Sequence, residues 1–169
     1  MSSYKSKLHK GTLEKFIVKT IADIKDIDSA QLIELKKMNY DPIEEYLKKG
    51  AEIDLVINYN GDIIGYNCIQ FRHYTPSWGI YYLGHDEAWI GPAFVKRSYR
   101  NMGIHSEITR YGLERLKNRG FKRVVTSVNS RNTPSIKTFT RIGFNRIATI
   151  KVRRFFGKTF SKKTIWEYE

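Results

Sequence analysis

Apolar residues alternate with polar ones in several short segments of the first half of the chain, and segments with helical spacing lie between them. The pattern predicts strands over residues 13–21, 52–59 and 62–71, and helices over residues 29–38 and 42–49. Asn60-Gly61, between the second and third strands, is the dipeptide typical of a tight type I′ hairpin turn. Asp41 is the expected N-terminal cap of the second helix, and Gly50 is its expected end.

The second half begins with a predicted strand over residues 88–95 that contains Pro92. Proline cannot donate to a strand ladder, so this segment is expected to hold a bulge, a splayed site or a sheet edge. Ile104 and Ile108 then begin a near-helical spacing of apolar residues, which predicts a helix of about 15 residues closed by Gly120.

The remaining segments predict a short strand, a helix and a strand-rich C-terminus. The strand is expected over residues 122–128, the helix from a cap at Thr133-Pro134 to Gly143, and two further strands over residues 144–156 and 163–168 around Gly157. This mixed order of elements indicates an α+β or mixed α/β fold. A chain of 169 residues without repeats or a linker is expected to form one domain over residues 1–169, with residues 1–10 flexible.

Charge is distributed unevenly along the chain, which carries a formal net charge of +13. Residues 1–95 contain 11 Lys and Arg against 13 Asp and Glu, whereas residues 96–163 contain 19 against 2. The basic half is consistent with a solvated surface, and equally with a polyanionic ligand such as nucleic acid, anionic lipid or a phosphorylated cofactor. Charge alone does not decide between these interpretations.

Composition excludes several classes of protein. A hydrophobic content of 41% is typical of a folded chain and not of a disordered one. No window approaches the ~20 apolar residues that span a bilayer, and the N-terminus lacks the apolar run of a signal peptide, so no membrane association is expected and the cytoplasm is the expected location. Cys68 is the single cysteine, and its apolar strand neighbours indicate a buried structural residue rather than a nucleophile.

The most informative segment runs from the strand ending at Val95 through Arg100-Asn101-Met102-Gly103-Ile104-His105 into a helix. A turn between a strand and a helix directs backbone N–H groups and the helix N-terminus to one place, and such a place binds phosphate. The alternative is an ordinary turn, which is the commoner role of a single glycine at such a position.

Two spacings in this half resemble motifs of one enzyme family. The turn from Arg100 to His105 is similar to the R/Q-x-x-G-x-G/A pyrophosphate loop of the GNAT superfamily, in which a valine-ended strand leads into the loop. Asn132, Ser135 and the Gly143-Phe144 pair reproduce the spacing of the family's N-x-x-A/S…G-F element. Both motifs occur in the family's order, so the resemblance covers residues 88–144 well and the preceding hairpin and helices loosely.

The resemblance implies a mixed, mostly antiparallel central sheet with one splayed strand, flanked by about four helices. It also implies acetyl-coenzyme A as co-substrate and transfer of an acetyl or related acyl group to a primary amine, such as that of an amino sugar. The pantetheine arm would pair with the splayed strand, the pyrophosphate would bind the loop, and the second motif would face the arm. The implied cofactor-binding residues are Phe94, Val95, Arg100, Asn101, Met102, Gly103, Ile104, His105, Asn132, Ser135 and Phe139.

Two positions depart from the family pattern. His105 stands where glycine or alanine is usual, so its side chain either points away from the phosphates or donates to one. Phe139 stands where many members have a tyrosine that protonates the departing thiolate, so this general acid is absent. A thiol with a pKa of about 8.5 leaves readily at neutral pH, whereas a lysine-like amine with a pKa of about 10.4 must first lose a proton.

The expected mechanism is direct attack of a neutral amine on the thioester, with a backbone N–H of the splayed strand stabilising the oxyanion. Glu87 is the candidate general base, because unbroken alternation would place its side chain on the same face as that of Val95. A bulge would reverse that assignment, and an exposed carboxylate at the start of a strand is the alternative interpretation of Glu87. Candidate residues lining the acceptor site are His73, Tyr81, Tyr82 and His85.

Two other functions would also fit parts of the sequence. A nucleic-acid-binding module would explain the basic half and its interleaved aromatic residues, although the chain has no helix-turn-helix, zinc or RNP-like motif. A degenerate GNAT protein that binds acyl-coenzyme A without turnover is favoured by Phe139. No metal site is expected from the scattered histidines, and Gly157-Lys158-Thr159 lacks the first glycine of a P-loop. The identity of the amine, the acyl length and formation of a homodimer are left open.

Overall fold

The computed structural model of the chain describes residues 16–38, 41–71, 82–155 and 158–166. Its strands are β1 (Phe16–Ile21), β2 (Glu52–Asn58), β3 (Ile63–Gln70), β4 (Glu87–Val95), β5 (Arg123–Val125), β6 (Ala148–Phe155) and β7 (Lys158–Trp166). Its α-helices are α1 (Ser29–Met38), α2 (Ile43–Lys48), α3 (Ile104–Asn118) and α4 (Thr133–Ile142). Short 3₁₀ turns at Ile24–Asp26 and Arg97–Tyr99 precede α1 and α3.

Five strands form the central sheet in the order β1-β2-β3-β4-β5. Neighbouring strands are antiparallel from β1 to β4, and the β4–β5 pair is parallel. β6 and β7 form a second, antiparallel sheet of two strands. The mixed fold class, the mostly antiparallel sheet and the four helices expected from the sequence are confirmed within the described part of the chain.

The central sheet separates two layers of helices. α1 and α2 cover one face, where Leu35 and Ile43 join a buried cluster with Tyr66 of β3. α3 covers the opposite face, where Ile104 and Ile108 are almost fully buried. Burial of each such side chain stabilises the fold by roughly 1.5–3 kcal/mol, so these two layers fix the sheet between the helices.

The β2–β3 hairpin is confirmed, but its turn is not type I′. The Asn58 N–H donates to the Asp62 carbonyl at 2.9 Å, which leaves a loop of three residues. Gly61 has a φ of 87°, whereas Asn60 is not in the positive-φ region that a type I′ turn requires at both positions. The Asn58 side chain explains the difference, because its Oδ1 accepts the N–H groups of Asn60 and Asp62 at 3.0 and 2.9 Å.

The irregularity expected in β4 is confirmed at Gly91-Pro92, whose peptide bond is cis. Asn67 pairs with Ala93 and Ile69 with Ile90, so two residues of β4 stand opposite one residue of β3. This arrangement is a β-bulge, which reverses the alternation of side chains along β4 beyond it.

Both predicted helix caps are wrong. The N-cap of α2 is Pro42, which makes no side-chain capping bond, and the Asp41 carboxylate accepts a hydrogen bond from the Tyr66 hydroxyl instead. The Asp41 carboxylate is engaged by the hydroxyl of Tyr66 in β3, which accounts for the loss of Asp41 as a cap. α4 is capped by the side chain of Asn132, one residue before the predicted Thr133.

The ends of β5, β6 and β7 differ from the predicted ends, because the extent of pairing with the neighbouring strand determines them. β5 is shorter than the predicted 122–128, because its ladder with β4 stops at Val125. Lys158 pairs with Phe155, so β7 begins earlier than the predicted residue 163, and β6 begins at Ala148 rather than at 144. Residues 13–15, 156–157 and 167–168, which belong to the predicted strands and the Gly157 turn, lie outside the described residues.

One carboxylate is buried beneath α3. Asp54 of β2 is inaccessible to solvent, and its Oδ1 accepts from Thr20 Oγ1 at 2.7 Å and pairs with Arg115 Nη2 at 3.2 Å. Its Oδ2 has no hydrogen-bond partner among the described residues. Burial raises the pKa of Asp54 to about 6, although Arg115 opposes the shift. Gly112 of α3 leaves space for the Asp54 carboxylate, because a Cβ at this position would lie 3.3 Å from Oδ2.

Candidate functional site

Beyond its bulge, β4 loses its partner on one side. The parallel ladder with β5 covers the first three residues of β4, whereas the antiparallel ladder with β3 continues to Val95. Thr126 Oγ1 donates to the Ile90 carbonyl at 2.7 Å, just before the two segments separate. Among the described residues, 93–95 pair with β3 on one side, and the opposite edge of residues 91–95 pairs with no strand. This opposite edge is called the open edge below.

Two interactions fix the geometry where the open edge begins. Gln70, which is buried, donates from Nε2 to the Gly91 carbonyl at 2.7 Å. Gly91 has a φ of 126°, a conformation that residues with a Cβ rarely adopt. The start of the open edge is therefore held by the fold rather than left to adapt.

The start of α3 has the properties of an anion site. Its N-cap is Gly103, with a φ of 77° and no side-chain capping bond. The first hydrogen bond of the helix runs from Glu107 N–H to the Gly103 carbonyl at 3.1 Å, so the N–H groups of the first turn that precede Glu107 have no partner within the helix. Asn101, with a φ of 63°, bends the loop before it. Unsatisfied N–H groups and the positive end of the helix dipole together favour a phosphate.

Arg100 connects this loop to β4. Its Nε donates to the Val95 carbonyl at 3.1 Å, and its guanidinium lies 5.8 Å from the centre of the Phe94 ring. Phe94 in turn stacks on Tyr66 with the ring centres 6.2 Å apart. The structure thus brings together Phe94, Val95 and the loop, which the sequence analysis placed in one cofactor site.

The two residues that depart from the family pattern contact each other. The His105 and Phe139 rings meet edge to face with their centres 5.4 Å apart, and Phe144 packs against Phe139 at 5.0 Å. His105 Nε2 is buried and has no hydrogen-bond partner among the described residues. Burial lowers the pKa of His105, so the ring is neutral at neutral pH. His105 therefore packs between α3 and α4 and presents no cation to a phosphate.

Asn132 and Ser135 lie in the first turn of α4. The Asn132 Oδ1 accepts the Ser135 N–H at 3.3 Å, and Asn132 is exposed. Through the contact of Phe139 with His105, this helix is joined to the loop at the start of α3. Both predicted motifs therefore belong to one region of the fold.

Glu87 stands at the first residue of β4, where the strand pairs with Arg123 of β5. Its Oε1 forms an ion pair with Arg123 Nη1 at 2.9 Å, and its Oε2 accepts the Gly84 N–H at 3.0 Å. The bulge lies between Glu87 and Val95 and places their side chains on opposite faces of the sheet. Val95 packs toward α3, whereas Glu87 lies on the same face as Trp89. This geometry gives Glu87 a structural role at the start of the strand.

A cleft of about 210 Å³ opens beside the bulge. Asp41 and Tyr46 line one side, and Trp89 with Gly91-Pro92 lines the side formed by β4. Ser127 closes it after the end of β5. Sequence reasoning missed Asp41 and Tyr46, because Asp41 was interpreted as a helix cap; no local signal in the sequence indicates its hydrogen bond with Tyr66.

Other predicted residues lie elsewhere. Tyr82 is 77% exposed and His85 is also exposed, whereas His73 and Tyr81 lie outside the described residues. Cys68 is confirmed as a buried residue, and burial raises the pKa of its thiol well above the ordinary value. The thiol is therefore protonated at neutral pH.

Two searches of the described ranges gave negative results. They contain no group of three or more His, Cys, Asp or Glu side chains arranged to hold a metal ion. No helix within them combines the length and apolar character needed to cross a membrane.

Comparison of the fold with solved structures finds acetyltransferases. The aminoglycoside N-acetyltransferase AAC(6′)-Iy in complex with coenzyme A is 17% identical, with a TM-score of 0.61 over 82% of this chain and 98% of that chain. An aminoglycoside acetyltransferase from an uncultured soil metagenomic sample is 12% identical, with a TM-score of 0.62 over 86% and 97%. The IAA acetyltransferase of Bacillus cereus is 15% identical, with a TM-score of 0.60 over 87% and 94%. At these identities the likeness establishes the fold.

Comparison of the sequence gives the family. No curated protein sequence matches the chain significantly. The sequence model of the acetyltransferase (GNAT) family matches residues 21–144, a stretch that contains the open edge of β4, the start of α3 and the whole of α4. The chain therefore belongs to the GNAT acetyltransferase family.

Proposed function

We propose that the protein transfers an acetyl or related acyl group from acyl-coenzyme A to a primary amine, and that it does so in the cytoplasm. The observation that carries this proposal is the meeting of an unpaired strand edge with an uncapped helix start. The amide groups of a pantetheine arm can pair with the strand edge, and the negative charge of a pyrophosphate can bind at the helix start.

The residues present fit that substrate. Backbone groups at Phe94 and Val95 would bind the pantetheine amides as an added strand, as the open edge requires. The N–H groups of residues 101–105 would bind the pyrophosphate, with Arg100 holding the loop against β4. Asn132, Ser135 and Phe139 would face the arm from α4, which is joined to this loop through His105.

The proposed reaction is a direct transfer. The thioester supplies an activated carbonyl carbon, which the lone pair of the neutral amine attacks; the carbon–sulfur bond then breaks and the thiolate leaves. An N–H of the open edge stabilises the oxyanion, and water or a carboxylate takes the amine proton. Phe139 cannot protonate the departing thiolate. Because the pKa of the corresponding thiol is about 8.5, the thiolate leaves without this assistance.

The proposed acceptor is a small metabolite with an amino group, such as an amino sugar. Two of the structures with this fold are aminoglycoside acetyltransferases, which supports the class only at the level of the fold. The cleft beside the bulge supports it further, because it opens where the acyl carbonyl would lie, and its volume of about 210 Å³ lies below the range of drug-sized ligands, as a small acceptor requires.

Calorimetric titration tests the proposal. The protein is titrated with acetyl-coenzyme A, with desulfo-coenzyme A and with a short oligonucleotide, each at two salt concentrations. We expect saturable binding of one coenzyme molecule per chain, followed by amine-dependent release of coenzyme A when a panel of amines is added.

Two outcomes contradict the proposal in different ways. Salt-dependent oligonucleotide binding without coenzyme binding would identify the basic half as a nucleic-acid surface. Coenzyme binding without turnover on any amine would identify a degenerate member of the family that binds acyl-coenzyme A without transferring its acyl group.

A further inference from the structure

We infer that Asp41 selects the acceptor, and that the acceptor is a cationic amine carrying no carboxylate beside its amino group. The inference rests on the proposed function and deepens it by naming the substrate class. Asp41 acts here as a specificity-determining residue of the cleft beside the bulge.

The cleft is formed by parts of the chain that the fold holds in place. Asp41 and Tyr46 come from the start of α2, whereas Gly91-Pro92 belongs to the bulge from which the open edge extends. An acceptor in the cleft therefore lies beside the point where β4 and β5 separate. A substrate bound along the open edge would present its acyl group at the same point.

The charges in the cleft favour one class of acceptor. Its lining within the described part of the chain contains the Asp41 carboxylate and no lysine or arginine, although residues 96–163 carry 19 basic residues. An ammonium group gains Coulomb energy beside Asp41, whereas a carboxylate next to the amine would be repelled and would find no cation among the described lining residues. An amino sugar without a carboxylate, or a simple alkyl amine, therefore fits better than an amino acid.

The Asp41 carboxylate is held in a fixed direction. The Tyr66 hydroxyl donates to its Oδ2, and the Tyr66 ring is 1% exposed and stacked on Phe94 of β4. A carboxylate offers about four acceptor positions, so it can accept from an ammonium in addition to the phenol. Through Tyr66, Asp41 is therefore linked to Phe94 of β4, the strand that would hold the coenzyme.

Two aromatic rings complete the match to a cation. Tyr46 and Trp89 line the cleft together with Asp41. Faces of tyrosine and tryptophan attract ammonium groups, and they also bury the apolar carbons that carry the amine. The cleft thus combines one negative charge with apolar walls.

Matched pairs of substrates test the inference. The pairs are tyramine with tyrosine and agmatine with arginine, in which the members differ only by the carboxylate beside the reactive amine. The measurement is kcat/KM for each compound from the initial rate of coenzyme A release at saturating acetyl-coenzyme A. For each pair that is turned over, we expect the amine to be preferred by about 10-fold or more.

Variants assign the preference to Asp41. Asp41→Asn is expected to lower kcat/KM for the amine by about 10- to 100-fold and to reduce the preference within a pair to about 3-fold or less. Its Kd for acetyl-coenzyme A stays within about twofold of wild type, which shows that the fold and the coenzyme site are intact. Glu44→Gln is the matched control, because Glu44 lies on α2 but pairs with Lys36 at 3.0 Å outside the cleft lining.

Three results would overturn the inference about Asp41 without contradicting the proposed acyl transfer. Equal use of amine and amino acid, an unchanged preference in Asp41→Asn, or turnover of other acceptors with neither of the two amines accepted would each remove the role of Asp41. Failure of the proposed function is a different result, namely no binding of acetyl-coenzyme A by the wild-type protein.

Discussion

Gly103 combines a left-handed backbone with the position at which α3 begins. Its φ is 77°, and a Cβ there would meet no atom within 4 Å, so the backbone angle alone requires glycine. Gly103→Val should therefore move the loop without a steric clash, at a conformational cost of about 1–2 kcal/mol. We expect the Kd for acetyl-coenzyme A, measured by calorimetry, to rise about 10-fold or more.

Gly120 supplies the control for this change at the other end of the same helix. Its φ is 84° and a Cβ there would also meet nothing within 4 Å, so Gly120→Val carries a similar strain far from the loop. The free energy of unfolding should fall comparably in both variants, while coenzyme affinity changes only in Gly103→Val. Equal affinities in the two variants would mean that the start of α3 does not bind the pyrophosphate.

Glu87 was the general base predicted from the sequence, but the contacts of its carboxylate indicate a structural role. Both carboxylate oxygens already contact protein groups, Arg123 and the Gly84 N–H. Glu87→Gln should therefore leave kcat and its pH profile within about twofold of wild type, whereas loss of a general base costs about 100-fold or more. The free energy of unfolding should fall by about 1 kcal/mol or less, because Arg123 is 65% exposed.

A different pair of results would restore Glu87 as the base. Steady-state rates measured between pH 6 and 9 would then show a large loss in Glu87→Gln, together with loss of one ionisation from the profile. Retained coenzyme binding in the same variant would exclude misfolding as the cause.

Among the elements, α1 and α3 were predictable because their apolar residues repeat with helical spacing over two or more turns. α1 has its predicted bounds, and the 15 residues of α3 match the predicted length. The bulge in β4 was predictable for a different reason: Pro92 lacks the N–H that an ordinary strand ladder needs. These signals are local, and the sequence displays them directly.

The features that could not be predicted depend on partners distant in the chain. The type of the β2–β3 turn follows from the Asn58 side chain, and the length of β5 follows from where β4 diverges from it. Asp41 is held beside the cleft by Tyr66 of β3, which donates to it. Spacing within one element contains no information about such contacts, so the turn before α3 was predictable and the cleft beside the bulge was not.

At the scale of the whole molecule, folding brings the two unequally charged halves of the sequence together. Several basic residues of the second half pair with carboxylates of the first, namely Lys96 with Glu34, Arg115 and Arg119 with Glu52, Lys122 with Asp86, and Arg123 with Glu87. The acidic first half therefore neutralises part of the basic second half across the sheet. The remaining excess of positive charge is available to attract a polyanionic coenzyme.

Asp54 makes the stability of the whole fold depend on pH. Burial raises its pKa from 3.8 to about 6, so the folded chain holds a proton that the unfolded chain releases between these values. Thr20 donates to Asp54 and in turn contacts the Tyr111 hydroxyl. Arg115 favours the ionised form of Asp54, and Glu52 opposes it. The unfolded state binds fewer protons in this window, so the contribution of Asp54 to stability is full below pH 4 and is lost as the pH rises to 6.

Asp54→Asn removes this dependence, since an amide does not ionise. The difference in unfolding free energy between variant and wild type should therefore shift in favour of the variant by at most about 3 kcal/mol from pH 4 to pH 6.5, and then remain constant. Urea unfolding at half-unit steps of pH measures it, and the difference cancels the titration of all other groups that the two proteins share. A difference that stays flat across this range would mean that Arg115 keeps Asp54 ionised in the folded protein, and that the buried pair does not take up a proton.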